Sequence, residues 1–421
     1  MQTEINIKSL YSDYVKTLET YIMFRIKQET IRLTPSLKAK NRAPVELSMG
    51  APTQPPPEFV IEALKKSLTE PGIHLYSTPK GEVYFLEAIV ARMKARFGVE
   101  LDPKTEIFSL ISSKEGLANI FRTLVNPSLN EKEQDIILIP DPGYASFQEQ
   151  IKVIGGKPYS IPLTYENKFM PNMEEILQNL KKEGYSPEKV KAVVINYPNN
   201  PLGATATRSY LKEVVDFARK RNILLISDLA YADMYFGDQE PPASILEIEG
   251  AKDIAIEFHS LSKPYSMTGW RIGWACGNKD AVEILGKLKS TVDTGIFKAL
   301  QKAGAAILTS EEGNKYIQKC NKLYQNKQEI LLKGFGELGW EIDKLIIPKA
   351  TFYLWLPIPE RFSSSAEFAQ SLLETSGIVI VPGSGFGKYG EGFFRISMVP
   401  PDESLYEVIE RMKTDGFYYA G

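Results

Sequence analysis

The sequence predicts an α/β fold. A large domain over residues 49–307 carries a mostly parallel sheet between helices, and a smaller α+β domain is built from residues 1–48 and 308–421. Three observations lead there. Short apolar, β-branched runs alternate with helical repeats through the middle of the chain, the pattern of a parallel sheet covered on both faces. After about residue 310 this alternation gives way to a long charged helical repeat followed by isolated strand-like pieces. No Gly/Ser-rich linker and no internal repeat separates the parts, so the domains are expected to be closely knitted.

In chain order, residues 108–111, 136–139, 193–195, 223–226 and 254–258 are read as strands. Each is too short for a helix, mainly apolar and bounded by turn residues, as buried strands are. Between them, residues 117–125, 208–219 and 281–288 place apolar side chains three and four apart, which makes one buried helical face. Residues 311–338 form the long helical repeat, and residues 352–356 and 378–381 are the strand-like pieces of the smaller domain.

Composition narrows the chemistry. With 43% hydrophobic and 24% charged residues the chain is an ordinary globular one, and 50 Lys+Arg against 52 Asp+Glu leave no basic footprint for nucleic acid. Cys276 and Cys320 cannot build a disulfide framework, and His74 and His259 leave few ligands for a metal, so none is expected. Charges interrupt every apolar stretch of the first 24 residues, so neither a signal peptide nor a membrane span is read there and a cytoplasmic location is expected. Catalysis must rest on Lys, Tyr, Asp, Arg or a cofactor.

Ligands of open α/β sheets bind beyond the carboxyl ends of the strands, so the segments after each run matter most. Residues 196–203, Asn-Tyr-Pro-Asn-Asn-Pro-Leu-Gly, make a turn when taken alone. Asp228, in Ser227-Asp228-Leu229-Ala230-Tyr231, is by itself a helix cap. Lys263 sits in a stretch poor in other charge, after Ser260 and Ser262 and eight residues before Arg271. A desolvated lysine suits Schiff-base chemistry, and serines with an arginine suit a phosphate. Ser112 and Glu115 form an S-x-x-E capping box, and the helix start they cap also offers free N–H groups to an anion.

In this order the segments YPNNPLG, SDLAY, SLSKPYSMTGWRIG and GFFRIS resemble the class I/II aminotransferases, fold-type I enzymes that depend on pyridoxal phosphate (PLP). The likeness runs from about residue 20 to the C-terminus. It implies a large domain with a seven-stranded type of sheet. It further implies that Lys263 holds the cofactor and shuttles a proton, that Asp228 pairs with the pyridine nitrogen, and that Tyr144 stacks on the ring. Asn200 and Tyr231 would bond the phenolic oxygen. Ser112, Ser113, Lys114, Ser260, Ser262 and Arg271 would hold the phosphate, joined by Tyr76 from the neighbouring subunit of a homodimer. Arg395 would clamp the substrate α-carboxylate, with Asn200 and the Gly50 N–H beside it. Ser112 and Leu202 depart from the family's usual glycine and threonine, and Ala51 stands where many relatives are acidic, which bears on specificity.

The implied activity is ping-pong amino transfer between an L-amino acid and a 2-oxo acid such as 2-oxoglutarate, in the LL-diaminopimelate or aspartate/alanine style. No arginine lies between Ser290 and Lys298, which does not favour a strict aspartate enzyme. A PLP-dependent C–S lyase of the cystathionine β-lyase kind uses the same lysine and aspartate, and a non-catalytic PLP-binding sensor is the remoter rival.

Overall fold

The computed structural model describes residues 6–237 and 240–420; residues 1–5 of the expected small domain lie outside them. Seven strands form the main sheet: β1 (Ile107–Leu110), β2 (Ile136–Asp141), β3 (Lys157–Pro162), β4 (Val190–Ile195), β5 (Leu224–Asp228), β6 (Ala255–Ser260) and β7 (Gly273–Gly277). Their order is β1-β7-β6-β5-β4-β2-β3. β7 runs antiparallel to both of its neighbours, and the other pairs are parallel.

The expected strands of the main sheet all form, whereas the expected piece 378–381 divides at Ile380 into two short strands of different sheets. β3 and β7 were not legible: β3 is an edge strand, partly exposed and broken by Pro158 and Pro162, and β7 is read past because Gly273 and Gly277 bound only three apolar residues. Helices Ser113–Leu124, Arg208–Arg221 and Lys279–Lys289 cover the sheet with one apolar face each. Gly116 brings the first of these onto the sheet, since a β-carbon there would lie 2.7 Å from Phe258 Cε1.

The C-terminal part centres on an antiparallel sheet in which Phe393–Ser397 lies between Tyr353–Pro357 and Val381–Pro382. The helix Glu311–Glu337 packs on helix Asp402–Thr414. The N-terminal segment joins this part through the strand Val45–Glu46, parallel to Ile378–Val379, and through Leu37 packed on Leu373. The two cores interlock instead of abutting. Ala230, Tyr231 and Met234, just after β5, belong to the C-terminal core, while Trp355, Val381 and Phe386 belong to the core under the main sheet. Each of the larger apolar side chains among these contributes about 1.5–3 kcal/mol by area, which is why no linker is needed. The seam between the cores lies at the carboxyl ends of β4, β5 and β6, where the loops singled out above converge.

Candidate active site

A cavity of about 370 Å³ opens at that seam. Its walls include Gly50, Ser112, Ser113, Lys114, Tyr144, Asn200, Asp228, Tyr231, Ser260, Ser262, Lys263, Arg271 and Arg395, thus every expected site residue except Tyr76. Tyr76 is 84% exposed and does not line this chain's own cavity. Ala51 does not line the cavity either.

Lys263 lies in the turn after β6, and its Nζ donates to the Gly50 carbonyl. Burial, helped by the nearby charges of Arg395 and Arg271 and opposed by Asp228, brings its pKa down to about 8. Asp228 ends β5, 6% exposed, and burial pushes its pKa up to about 7 against the Ala230 N–H and the Lys263 ammonium. Its Oδ1 is buried without a hydrogen-bond partner. A parallel sheet with apolar faces can hold a carboxylate there only if something completes that bond.

Asn200 and Arg395 meet across the seam: Arg395 Nη1 donates to Asn200 Oδ1 at 2.9 Å and Nη2 to the Ser48 carbonyl at 2.7 Å. The guanidinium lies 4.2 Å from the Tyr353 ring centre and 4.8 Å from that of Phe386, and its Nε is buried and unpartnered. Tyr231 bonds Tyr353 hydroxyl to hydroxyl at 3.1 Å. Asn196 organises the turn before Asn200, accepting its N–H at Oδ1 and donating from Nδ2 to the Asp228 carbonyl at 2.8 Å.

Around the opposite rim, Ser112 caps helix Ser113–Leu124 by accepting the Glu115 N–H. The expected return bond gives way to another: the Glu115 carboxylate is taken by Asn119 and by Lys289 at 3.3 Å, because buried Lys289 needs a counter-charge. Ser260 Oγ accepts the Ser262 N–H, Ser262 Oγ is buried without a partner, and the exposed Arg271 donates to the Thr268 carbonyl. The Lys114 side chain turns from this rim toward Tyr21 and Tyr144, 5.2 and 5.8 Å from their ring centres.

Against known proteins, residues 42–412 match the family described as aminotransferase class I and II. The chain belongs to that family. LL-diaminopimelate aminotransferase of Aquifex aeolicus is 42% identical to it over 96% of this chain and 98% of the relative. The protein of that name from Halothermothrix orenii is 38% identical over 96% and 97%. A substrate-bound structure of BacF from Bacillus subtilis matches with a TM-score of 0.87 at 32% identity, covering 98% of this chain and 99% of that one.

The family works with PLP, and the cavity of this aminotransferase holds groups suited to two parts of that molecule, the ring nitrogen and the phosphate. Asp228 Oδ1 lacks a donor, which a protonated ring nitrogen supplies. Ser262 Oγ is buried without a partner, which a phosphate supplies, and the start of helix Ser113–Leu124 at the same rim is the kind of terminus that binds such an anion. Four contributors escaped the sequence reading: Tyr353, Phe386, Asn196 and Tyr21. Tyr353 stands among the aromatics of a strand-like stretch and Phe386 in a glycine-rich loop, and nothing local sets them apart; Asn196 looks like any turn residue. Glu257, His259 and Cys276 also bring three ligand-type atoms within 4.8 Å. The Glu257 oxygens, however, already accept bonds from Ser227, Ser244 and the Ile245 N–H, with His259 Nε2 2.8 Å away. That makes it a satisfied core network.

Proposed function

We propose that the chain is a PLP-dependent aminotransferase that exchanges an amino group between LL-diaminopimelate, as the principal L-amino acid, and a 2-oxo acid such as 2-oxoglutarate. It works as a homodimer in the cytoplasm, by ping-pong kinetics. Relatives about 40% identical along nearly the whole chain carry the diaminopimelate name and support the donor. The observation that carries the reading is the convergence in one cavity of Lys263 with a lowered pKa, Asp228 with an unpartnered oxygen, and Arg395 with an unpartnered Nε.

When bound, PLP supplies the electron sink that lets the Cα–H bond of an amino acid break. The chain's residues do the rest. Lys263, neutral for an appreciable fraction near pH 8, holds the cofactor and then carries the proton at the substrate Cα. Asp228 keeps the ring nitrogen protonated, Tyr144 holds the ring plane, and Asn200 with Tyr231 binds the phenolic oxygen. Ser112, Ser113, Lys114 through its backbone, Ser260, Ser262 and Arg271 hold the phosphate. Arg395, fixed by Asn200 and Ser48, offers its remaining N–H donors, the unpartnered Nε among them, to the α-carboxylate beside Gly50. Tyr76, exposed on its own chain, reaches the phosphate of the neighbouring subunit. The division into residues 49–307 and residues 1–48 with 308–421 places this machinery at the seam.

The test is to supply the holoenzyme with LL-diaminopimelate and 2-oxoglutarate and to follow glutamate formation. Pyruvate and ammonia from cystathionine without amino transfer would replace the reading by C–S lysis, and no turnover with any donor would leave a sensor.

A further inference from the structure

The loop of residues 383–390 leaves the strand Val381–Pro382 of the C-terminal part, yet it is fastened to the main sheet. Asp141, the last residue of β2 and 6% exposed, is the fastener. Its Oδ1 accepts the Tyr389 N–H at 3.1 Å, the Lys388 N–H also points to the carboxylate, and Oδ2 accepts the Ser160 hydroxyl of neighbouring β3 at 2.6 Å. Two residues on, the Gly143 N–H donates to the Phe386 carbonyl at 2.9 Å. Gly387, at φ +130, leaves room for the carboxylate, since a β-carbon there would collide with Asp141 Oδ1. These contacts bracket Phe386, whose ring lines the cavity, lies 4.8 Å from the Arg395 guanidinium and abuts Trp355 at 6.0 Å.

We propose that Asp141 is a positioning residue that seats Phe386 against Arg395 and so sets the geometry of the carboxylate clamp from the far side of the seam. The inference rests on the reading of Arg395 as that clamp. On its own side the loop is fastened before Phe386, by the Ser384 N–H to Ser365 Oγ at 3.2 Å, and after it, by Glu391 accepting from Ser365; without Asp141 the hydrogen bonds of Lys388 and Tyr389 to the main sheet are lost and the Gly143 N–H alone holds the Phe386 carbonyl there. Arg395 then loses one of the two rings that hold its plane, while Lys263, Asp228 and the phosphate rim, on other elements, are untouched.

The experiment uses the holoenzyme with Asp141→Ala, Asp141→Asn and Gly387→Ala. Pimelate serves as an amine-free competitive probe of the clamp, and hydrogen exchange of residues 383–390 serves as a readout independent of turnover. Asp141→Ala and Gly387→Ala are expected to raise the pimelate inhibition constant and the donor KM about tenfold, the loss of roughly one hydrogen bond's worth of positioning. kcat should stay within about threefold, cofactor content should not change, and exchange in the loop should rise. Asp141→Asn, which keeps a carbonyl acceptor for the loop amides, should restore most of the affinity. Should Asp141→Ala fail to fold, Gly387→Ala decides. An unchanged pimelate constant, whether or not the loop exchanges faster, would overturn the proposal, as would an equal loss in kcat and cofactor content. Failure of the functional reading shows separately, as absence of amino transfer by the unaltered enzyme.

Discussion

Replacing Arg395 by lysine keeps a positive charge at the seam and removes the geometry. In the structure the guanidinium spends Nη1 on Asn200 and Nη2 on Ser48, lies against the Tyr353 and Phe386 rings, and leaves Nε buried without a partner. An ammonium cannot span Asn200, Ser48 and a carboxylate together. Losing one charge-assisted hydrogen bond costs about 1.5–3 kcal/mol. Losing the planar contact with the rings adds about 0.5–1 kcal/mol. The sum, about 2–4 kcal/mol, corresponds to a fall in kcat/KM for the amino acid of roughly 30-fold to 1000-fold. The assay is steady-state kinetics with donor and acceptor varied in turn, alongside the absorbance of bound cofactor. Both substrates carry an α-carboxylate, so both kcat/KM values should fall while cofactor content holds. A kcat/KM within about threefold of the unaltered enzyme for both would refute the clamp, and so would a loss explained by empty protein.

Lys263→Ala should abolish cofactor that borohydride can fix to the chain and lower turnover by orders of magnitude; fixed cofactor in the variant would contradict the assignment. Asp228 has a folded pKa of about 7, raised by burial above its usual carboxylate value. In cofactor-free protein the folded state therefore holds this proton longer than the unfolded chain, and stability from this group is lost as pH rises from about 4 to about 7. The Tm advantage of cofactor-free Asp228→Asn over the unaltered chain should grow across that window; a constant difference would argue against the burial. Lys289 is fully buried between Asp293 at 2.6 Å and Glu115 at 3.3 Å, so Lys289→Met should cost about 3 kcal/mol in urea unfolding by stranding a carboxylate. Tyr76→Phe should slow rebinding of PLP only at protein concentrations where sedimentation finds a dimer; an equal effect in a monomer would remove the neighbour from the site.

Much of the site was legible because it lies on loops whose residue types are chemically unusual for their setting. Lys263 stood out for the uncharged stretch around it, whereas Asp228 read alone as a helix cap and took its role from the resemblance. Their opposite shifts come from three-dimensional burial that no local pattern encodes. The capping box at Ser112 was half right: the side chain of Glu115 could not be predicted to turn to Lys289, which is 174 residues away. Tyr353, Phe386 and Asp141 act through contacts across the seam, and such contacts leave no spacing in the chain. Strands β3 and β7 were missed for a simpler reason, since prolines and glycines interrupt the run that marks a buried strand.

The charges of the cavity carry the cofactor argument further than any single residue. Four cations line it, Lys114, Lys263, Arg271 and Arg395, against one carboxylate, Asp228. A phosphate brings a charge of about −1.5 to −2 at neutral pH, and a substrate α-carboxylate brings one more negative charge. Together they match the excess. Burial foremost, and then the charges of Arg395 and Arg271, lower the pKa of Lys263, and anions at the two rims answer the arginine part of that shift. Binding an anion at either rim raises the lysine's proton affinity, and releasing it lowers that affinity again. The arginines that hold the two ends of the reacting pair therefore add to burial in lowering the basicity of the amine between them, and substitution of either should move the pH profile of Lys263 as well as the affinity of its own ligand.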